Sequence, residues 1–185
     1  MNNGLIAARY ATALLDFVPE SSSRDMLYAE AKSITKSFKQ FSELRSVLEN
    51  PVMAKADKLK VIKLAAGGNT SKQFARFVDL LLENNREIHL QSIMLKFADL
   101  YRKTKNIHSG KLTTASPVEA LVEKRLVDMI QKSTGGTVEI EKIVDPAILG
   151  GFQFEVDFVR WDASLSGQLQ RIRTEFIEQN KNIPK

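Results

Sequence analysis

The sequence contains no cysteine, only two histidines and no long apolar run. The missing cysteine excludes disulfides, thiolate metal sites, iron–sulfur clusters and a cysteine nucleophile. No apolar run approaches the roughly 18 residues that a membrane-spanning helix needs. Residues 1–17 are amphipathic rather than uniformly apolar, so they do not resemble a secretory signal. We therefore expect a soluble intracellular protein, with peripheral association at a membrane left open.

The chain also lacks the common catalytic motifs. Its glycine pairs, at residues 67–68, 135–136 and 150–151, are isolated, and none precedes the Lys-Ser or Lys-Thr of a phosphate-binding loop. No HExxH or GxSxG motif occurs, and His89 and His108 have no second metal ligand near them in sequence. We therefore expect no catalytic residue, no metal site and no cofactor.

The net positive charge of the protein lies in the first part of the chain. The formal net charge is +5; residues 1–105 contain 17 Lys or Arg against 11 Asp or Glu, and residues 106–185 contain 10 against 11. The four lysines between residues 55 and 63 have near-helical spacing and could contact phosphates. No helix-turn-helix, RNA-binding aromatic motif or zinc finger accompanies them. A basic helical nucleic-acid-binding adapter is the alternative function, and a solvated lysine-rich surface is the simpler interpretation.

Apolar residues recur every three to four positions through the first 105 residues, which predicts a series of helices. Asn50 and the following proline are predicted to end the third helix and to begin the fourth, and the glycines at 67–68 are predicted to end the fourth. Thr70 and Gln73 have the spacing of a capping box at the start of the fifth helix. Asn84 and its neighbour Asn85 separate the fifth helix from the sixth. Six helices with short connections predict an antiparallel bundle.

The pattern changes near residue 105 from helical periodicity to alternation. Strands are predicted around residues 111–114, 138–144 and 152–158. A helix is predicted after Ser116, which is followed by proline, and a last helix covers residues 165–176. Asp162 is expected in the turn before that helix. The order β-α-β-β-α is typical of a small α/β domain, so the domains are predicted to be residues 1–105 and 106–185.

Two predicted helices are more apolar than a small bundle needs for its own core. One is the first helix, and the other covers residues 74–82 and is apolar nearly all round. An exposed hydrophobic groove formed by such helices would accept a partner helix. The alternative is that the second of them is central and fully buried, and the pattern alone does not decide between these interpretations.

Motifs along the whole chain resemble those of the F-type ATP synthase delta subunits, the family of the mitochondrial oligomycin-sensitivity-conferring protein. Residues 8–15, ARYATALL, are similar to the family's opening ARRYAxAL, and Asn50-Pro51 with the later Lys58 resembles its "NP … K" segment. Residues 77–86, FVDLLLENNR, resemble its F(L)xLLxENxR segment. Residues 145–152, DPAILGGF, match its D-x-x-(L/I)-(I/L)-G-G turn. Residues 162–169 resemble its D-G-S-V-R-G-R-L segment, with three departures: Ala163, Ser166 and Gln168.

The resemblance implies a non-catalytic stator subunit, mainly α-helical, with an N-terminal six-helix bundle and a small α/β C-terminal domain. Residues 1–105 would bind the N-terminal helices of the alpha subunits in the catalytic head. Residues 106–185 would bind the C-terminal ends of the stalk b subunits, so that rotor torque drives ATP synthesis. No nucleic acid is implied as a partner, and membrane contact would be made only through the complex.

The resemblance also implies the contact residues. The head-binding groove would lie between the first and fifth helices, at Ala7, Tyr10, Ala11, Leu14, Phe74, Phe77, Val78 and Leu81. The stalk contacts would be Phe152, Leu165, Leu169 and Ile172. We expect Ala11→Asp to place a charge in the groove and uncouple the head while the domain stays folded. With no transit peptide before the first helix, we expect a bacterial protein on the cytoplasmic face of the inner membrane.

Overall fold

The change of periodicity near residue 105 has a counterpart in three dimensions. The computed structural model describes residues 3–19, 22–117, 137–156 and 159–181. The chain divides into two compact units, Met1–Thr104 and Lys105–Lys185, which we call the helical unit and the sheet unit. This division falls one residue before the boundary predicted from the sequence. Within the described residues, no helix is long and apolar enough to cross a membrane.

The helical unit follows the predicted order of helices. Its helices are α1 (Asn3–Phe17), α2 (Ser22–Gln40), α3 (Glu43–Glu49), α4 (Lys55–Ala65), α5 (Lys72–Glu83) and α6 (Leu90–Thr104). A 3₁₀ turn at Glu87–His89 leads into α6. The predicted stops after α4 and α5 are confirmed. Gly67 and Gly68 have φ values of 109° and 83°, and Asn85 has a φ of 52°, all in the left-handed region that ends a helix.

The predicted start of α4 is wrong. Asn50 lies at the C-terminal end of α3, and α4 begins five residues later with Ala54 as its N-cap. The side-chain Oδ1 of Asn50 accepts a hydrogen bond from the backbone N–H of Val52 at 2.9 Å. Asn50 therefore forms a local turn with its own side chain, which competes with helix initiation.

The predicted cap of α5 is displaced by one residue. Ser71, rather than Thr70, is the N-cap, and its Oγ accepts a hydrogen bond from the backbone N–H of Phe74 at 3.2 Å. Glu30 of α2 also binds Ser71, so a tertiary contact selects which of two adjacent hydroxyl residues caps the helix. Sequence spacing cannot detect such a contact.

The core of the helical unit is built on α6, which packs against both α1 and α2. The stacked rings of Tyr28 and Tyr101, 4.3 Å apart, join α2 to the end of α6. The hydroxyl of Tyr101 donates to a carboxylate oxygen of Asp25 at 2.5 Å. The fully buried side chains of α6 include Ile93, Met94 and Phe97.

The sheet unit contains β1 (Ile107–Thr114), β2 (Thr137–Val144), β3 (Phe152–Val156), β4 (Val159–Asp162) and a last helix, α7 (Leu165–Lys181). The strand order is β2-β1-β3-β4; β1 is parallel to β2, and the other pairs are antiparallel. Strand β4 was not predicted, because it has only four residues and they are largely exposed. Asp162 is the last residue of this strand rather than a turn residue. The helix predicted after Ser116 lies outside the described residues. A mainly helical chain with a small C-terminal sheet is thus confirmed.

The turn before β3 determines where α7 begins. Asp145 accepts a hydrogen bond from the backbone N–H of Ala147 at 2.9 Å and so holds the 3₁₀ turn Pro146–Ile148. Gly150 then accepts a backbone hydrogen bond from Leu165, the first residue of α7, at 3.0 Å. The motif at residues 145–152 therefore joins the start of β3 to the start of α7.

Candidate partner-binding groove and exposed helix face

An open groove of about 510 Å³ lies between α1 and α5. Seven of its ten lining residues are apolar or aromatic, and the other three are arginines. The lining residues are Ile6, Arg9, Tyr10, Ala13, Leu14, Phe17, Arg76, Phe77, Leu80 and Arg86. We call this surface the α1/α5 groove.

Two contacts hold the walls of the α1/α5 groove in place. The ring of Tyr10 on α1 meets the ring of Phe77 on α5 edge-on, with 6.4 Å between centroids. At the N-terminus of α5, the buried carboxylate of Glu30 accepts hydrogen bonds from the backbone N–H and the hydroxyl of Ser71. Because charge-assisted hydrogen bonds are strong when buried, α2 fixes the end of α5 and with it one wall of the groove.

The structure divides the eight groove residues implied by the resemblance into two sets. Tyr10, Leu14 and Phe77 line the groove. The other five are buried and do not line it: Ala7, Ala11, Phe74, Val78 and Leu81. Helix α5 is therefore neither fully buried nor apolar all round: one face packs into the unit, and the opposite face carries exposed Arg76, Asp79 and Leu80.

The burial of Ala11 changes what its substitution would do. Ala11 has 0% of its surface exposed. An aspartate there would place an unpaired carboxylate among packed apolar side chains, which is strongly unfavourable. We therefore expect Ala11→Asp to destabilise the helical unit itself, contrary to the expectation from the sequence that the domain would stay folded.

Sequence reasoning missed the outer part of the α1/α5 groove. Phe17 and Leu80 are 59% and 45% exposed and both line the groove, so together they give its outer part an apolar surface. Arg9 and Arg76 are charged, so they do not belong to the apolar stripes of their helices. Helical spacing alone could have placed both arginines beside the groove, since Arg9 is four positions before Ala13 and Arg76 is four positions before Leu80.

The lysines of α4 do not form one exposed cationic face. Lys58 is buried, and its Nζ lies 2.7 Å from Oε1 of Glu87 and 2.7 Å from the carbonyl oxygen of Leu48. Lys60 is exposed and pairs with Asp57 at 2.9 Å. One of the four regularly spaced lysines is thus a core residue with an acidic partner, which reduces the charge available to a phosphate backbone.

A second apolar surface lies on α7 of the sheet unit. Leu165, Leu169 and Ile172 are 51%, 54% and 49% exposed, and their spacing puts them on one helix face. Phe176 extends the same face. We call these four residues the α7 stripe. Phe152, the remaining predicted stalk contact, is half-buried and packs against the sheet core formed by Leu112, Val138, Phe154 and Val156.

Hydrogen bonds at the N-terminus of α7 fix the start of the stripe. Oδ1 of Asp162 accepts from the hydroxyl of Ser164 at 2.5 Å and from its backbone N–H at 2.9 Å. The Ser164 hydroxyl in turn accepts from the backbone N–H of Gly167 at 3.1 Å. The side-chain hydrogen bond from Ser164, followed by the backbone one, holds the pKa of Asp162 below its usual range, because both stabilise the carboxylate.

These features define a class of protein that binds other proteins. The helical unit presents an apolar groove, the sheet unit presents an exposed apolar helix face, and both are supported by packed cores. Within the described residues, no group of three or more His, Cys, Asp or Glu side chains could hold a metal ion.

Comparison with known proteins identifies the family. A family model described as "ATP synthase delta (OSCP) subunit" matches residues 6–176. The ATP synthase subunit delta of Phocaeicola vulgatus is 43% identical over 181 residues, which cover 97% of this chain and 98% of that protein. The corresponding protein of Bacteroides thetaiotaomicron is 41% identical over 185 residues, which cover 99% and 100%. A chain of the Toxoplasma gondii mitochondrial ATP synthase hexamer shares the fold, with a TM-score of 0.66 at 18% identity, over 92% of this chain and 97% of that one.

The chain therefore belongs to the ATP synthase delta (OSCP) family, and the resemblance drawn from its motifs is confirmed. It is a peripheral-stalk subunit of an F-type ATP synthase, a structural stator component that is not itself catalytic. Its complex is associated with a membrane, and its partners are other subunits of that complex.

Proposed function

We propose that this subunit joins the catalytic head of the ATP synthase to the peripheral stalk through two separate surfaces. The helical unit, a six-helix bundle, binds an amphipathic N-terminal helix of an alpha subunit in the α1/α5 groove. The sheet unit binds the C-terminal ends of the b subunits along the α7 stripe. The assembly lies on the cytoplasmic face of a bacterial inner membrane.

The observation that carries this proposal is the α1/α5 groove itself. It is open, mostly apolar and bounded by two helices, which is the shape that an amphipathic helix fills in helix-in-groove recognition. Phe17 and Leu80 expose apolar surface that a partner helix would remove from water. A groove whose walls are already fixed loses little conformational entropy on binding.

The α7 stripe supports the second contact. Its four apolar side chains lie along one helix face and are each about half exposed or more. An exposed stripe of this length is typical of a surface that pairs with another helix. The C-terminal ends of b subunits would supply such a partner, with Phe152 supporting the sheet behind the contact.

The proposed function is mechanical and requires no reactive group. Proton flow turns the rotor, and the same torque acts on the catalytic head. If the head turned with the rotor, no strain would reach its nucleotide sites. A subunit that holds the head to a fixed stalk needs well-packed apolar interfaces that resist dissociation.

Substitution of one exposed leucine tests the groove. Complete burial of a leucine side chain is worth about 1.5–3 kcal/mol, and Leu80 has 45% of its surface left to bury. Leu80→Gln therefore loses about 1 kcal/mol of apolar contact, and burying the amide costs about 1 kcal/mol more. We expect affinity for a head preparation depleted of this subunit to fall about 30-fold.

Leu95→Gln is the matched control, because Leu95 is a helix residue with 44% exposure that does not line the groove. It should bind the head as the wild type does, and both variants should retain wild-type helix content and binding to the b subunits. Equal head binding by the two variants would show that the head does not occupy the groove.

A further inference from the structure

Three arginines at the edge of the α1/α5 groove have no acidic partner among the described residues. Arg9 on α1 and Arg76 on α5 are exposed, and Arg86, just after α5, is partly exposed. The ion pairs among the described residues do not include any of the three. Asp79 follows Arg76 by three positions on α5, yet these two side chains are not among the ion pairs of the described residues. The groove therefore combines an apolar surface with three uncompensated positive charges.

We propose that Arg9, Arg76 and Arg86 form a cationic rim that selects an amphipathic helix whose apolar stripe is flanked by carboxylates. This inference rests on the proposed function of the groove and specifies the chemistry of its occupant. A helix entering the groove covers the apolar surface and excludes water beside the rim. In that setting a carboxylate forms two parallel hydrogen bonds with a guanidinium, whereas a lysine or arginine of the occupant is repelled.

The composition of the groove favours a protein helix over a nucleic acid. Seven of its ten lining residues are apolar or aromatic, and a phosphate backbone gains nothing from covering them. Phe77 is only 7% exposed and already meets Tyr10 edge-on, so its ring face is not open for base stacking. Charge and apolar surface together therefore match an acidic amphipathic helix.

The test measures binding of the full-length protein to a catalytic head depleted of this subunit, at about 50 mM and about 500 mM salt. The rim variant replaces Arg9, Arg76 and Arg86 together by glutamine. A control variant removes the same charge from three exposed residues that do not line the groove: Lys36, Lys103 and Arg173.

We expect the rim variant to bind the head about tenfold more weakly at low salt. Each ion pair that is exposed or only partly buried contributes modestly, so the loss of three pairs gives an effect of this size. The difference should shrink at high salt, and the control variant should behave as the wild type. Replacement of the same three arginines by lysine should retain most of the affinity. Replacement by glutamate should weaken binding beyond the glutamine variant, because carboxylates of the partner would then meet carboxylates.

The outcomes separate this inference from the proposed function. If Leu80→Gln weakens head binding but the rim variant equals its control, the groove assignment stands and the rim proposal is overturned. If neither variant weakens head binding, both are wrong. If the rim variant binds the head normally but loses binding to a single-stranded RNA oligonucleotide tested beside it, the rim serves a polyanion and the acidic-helix proposal fails.

Discussion

The buried pair Lys58–Glu87 allows a quantitative test of how the helical unit is held together. The two side chains are only 6% and 8% exposed, with 2.7 Å between Nζ and Oε1. The same Nζ donates to the carbonyl of Leu48, so one ammonium joins α4 to the end of α3 and to the turn before α6. Oε2 of Glu87 has no hydrogen-bond partner in the described part of the chain. The pair is therefore tightly coupled and incompletely satisfied.

Removing one partner should cost far more than removing both. Lys58→Met leaves the buried carboxylate of Glu87 without a counter-charge, and Glu87→Leu leaves the buried ammonium of Lys58 without one. Each substitution should lower the free energy of unfolding by about 3–5 kcal/mol. The double variant leaves no buried charge. Its remaining cost is mainly the unsatisfied carbonyl of Leu48, about 1–2 kcal/mol. The double variant should thus be more stable than either single variant.

Urea unfolding followed by far-UV circular dichroism measures these free energies. With a slope of about 2 kcal/mol per molar urea, each single substitution should lower the midpoint by about 2 M. Lys60→Met is the control, because the Lys60–Asp57 pair has a similar length of 2.9 Å but side chains that are 74% and 53% exposed. It should cost less than about 0.5 kcal/mol. Additive losses in the double variant would refute the reasoning, since they would mean that the two charges do not interact.

Two further predictions concern the sheet unit. The pKa of Asp162 is lower in the folded state than in the unfolded state. Its carboxylate therefore stabilises the fold at pH values above its unfolded-state pKa, which is near 4, and this stabilisation disappears as the pH falls through the folded-state pKa. Asp162→Asn should therefore lower the free energy of unfolding at pH 7 and remove part of the acid-dependent loss of stability, measured by urea unfolding between pH 7 and pH 3; an unchanged pH profile would contradict this. Gly151→Ala should destabilise the unit by more than about 1 kcal/mol, because Gly151 has a φ of 73° and an added Cβ would overlap the carbonyl oxygen of Ala163. Gly150→Ala, whose Cβ would meet nothing nearer than 3.9 Å, should have a small effect in the same urea unfolding assay, and equal effects of the two substitutions would contradict the account.

Local sequence signals predicted the parts of the fold that depend on local chemistry. Gly67 and Gly68 after α4 and Asn85 after α5 take the left-handed conformations that end helices, as their residue types suggest. The residue types at Asn50 could not decide its conformation, because asparagine followed by proline suits both a helix start and a turn. The hydrogen bond that Asn50 accepts from the backbone N–H of Val52 stabilises the turn. Strand β4 could not be predicted from its sequence, because its pairing with β3, rather than a pattern in its own four residues, makes it a strand.

The residues of the candidate sites could be predicted only in part, because they too depend on contacts that local sequence does not show. A stripe of apolar residues on α1 or α5 indicates that a face is covered, but not whether another helix of the same unit or a partner covers it. Ala11 and Val78 are covered within the unit, whereas Leu80 is 45% exposed and is covered by a partner only on the proposed assignment. The arginine rim is invisible in a search for apolar periodicity, and Lys58 looked like a surface lysine because its partner, Glu87, is 29 positions away.

On the proposed assignment, the buried residues among the eight that the resemblance implies act on the groove without contacting a partner. Ala11, Phe74 and Val78 have no exposed surface, and they belong to the two helices that form the groove walls. Substitutions that change their volume would shift α1 or α5 and so alter the groove, because close-packed cores transmit small displacements. On the proposed assignment, these residues maintain the shape of the groove, Leu80 and Phe17 supply the surface that a helix covers, and the three arginines determine which helix is accepted. A joint that must withstand torque benefits from this division, since a groove formed before binding spends little of the contact energy on ordering its own walls.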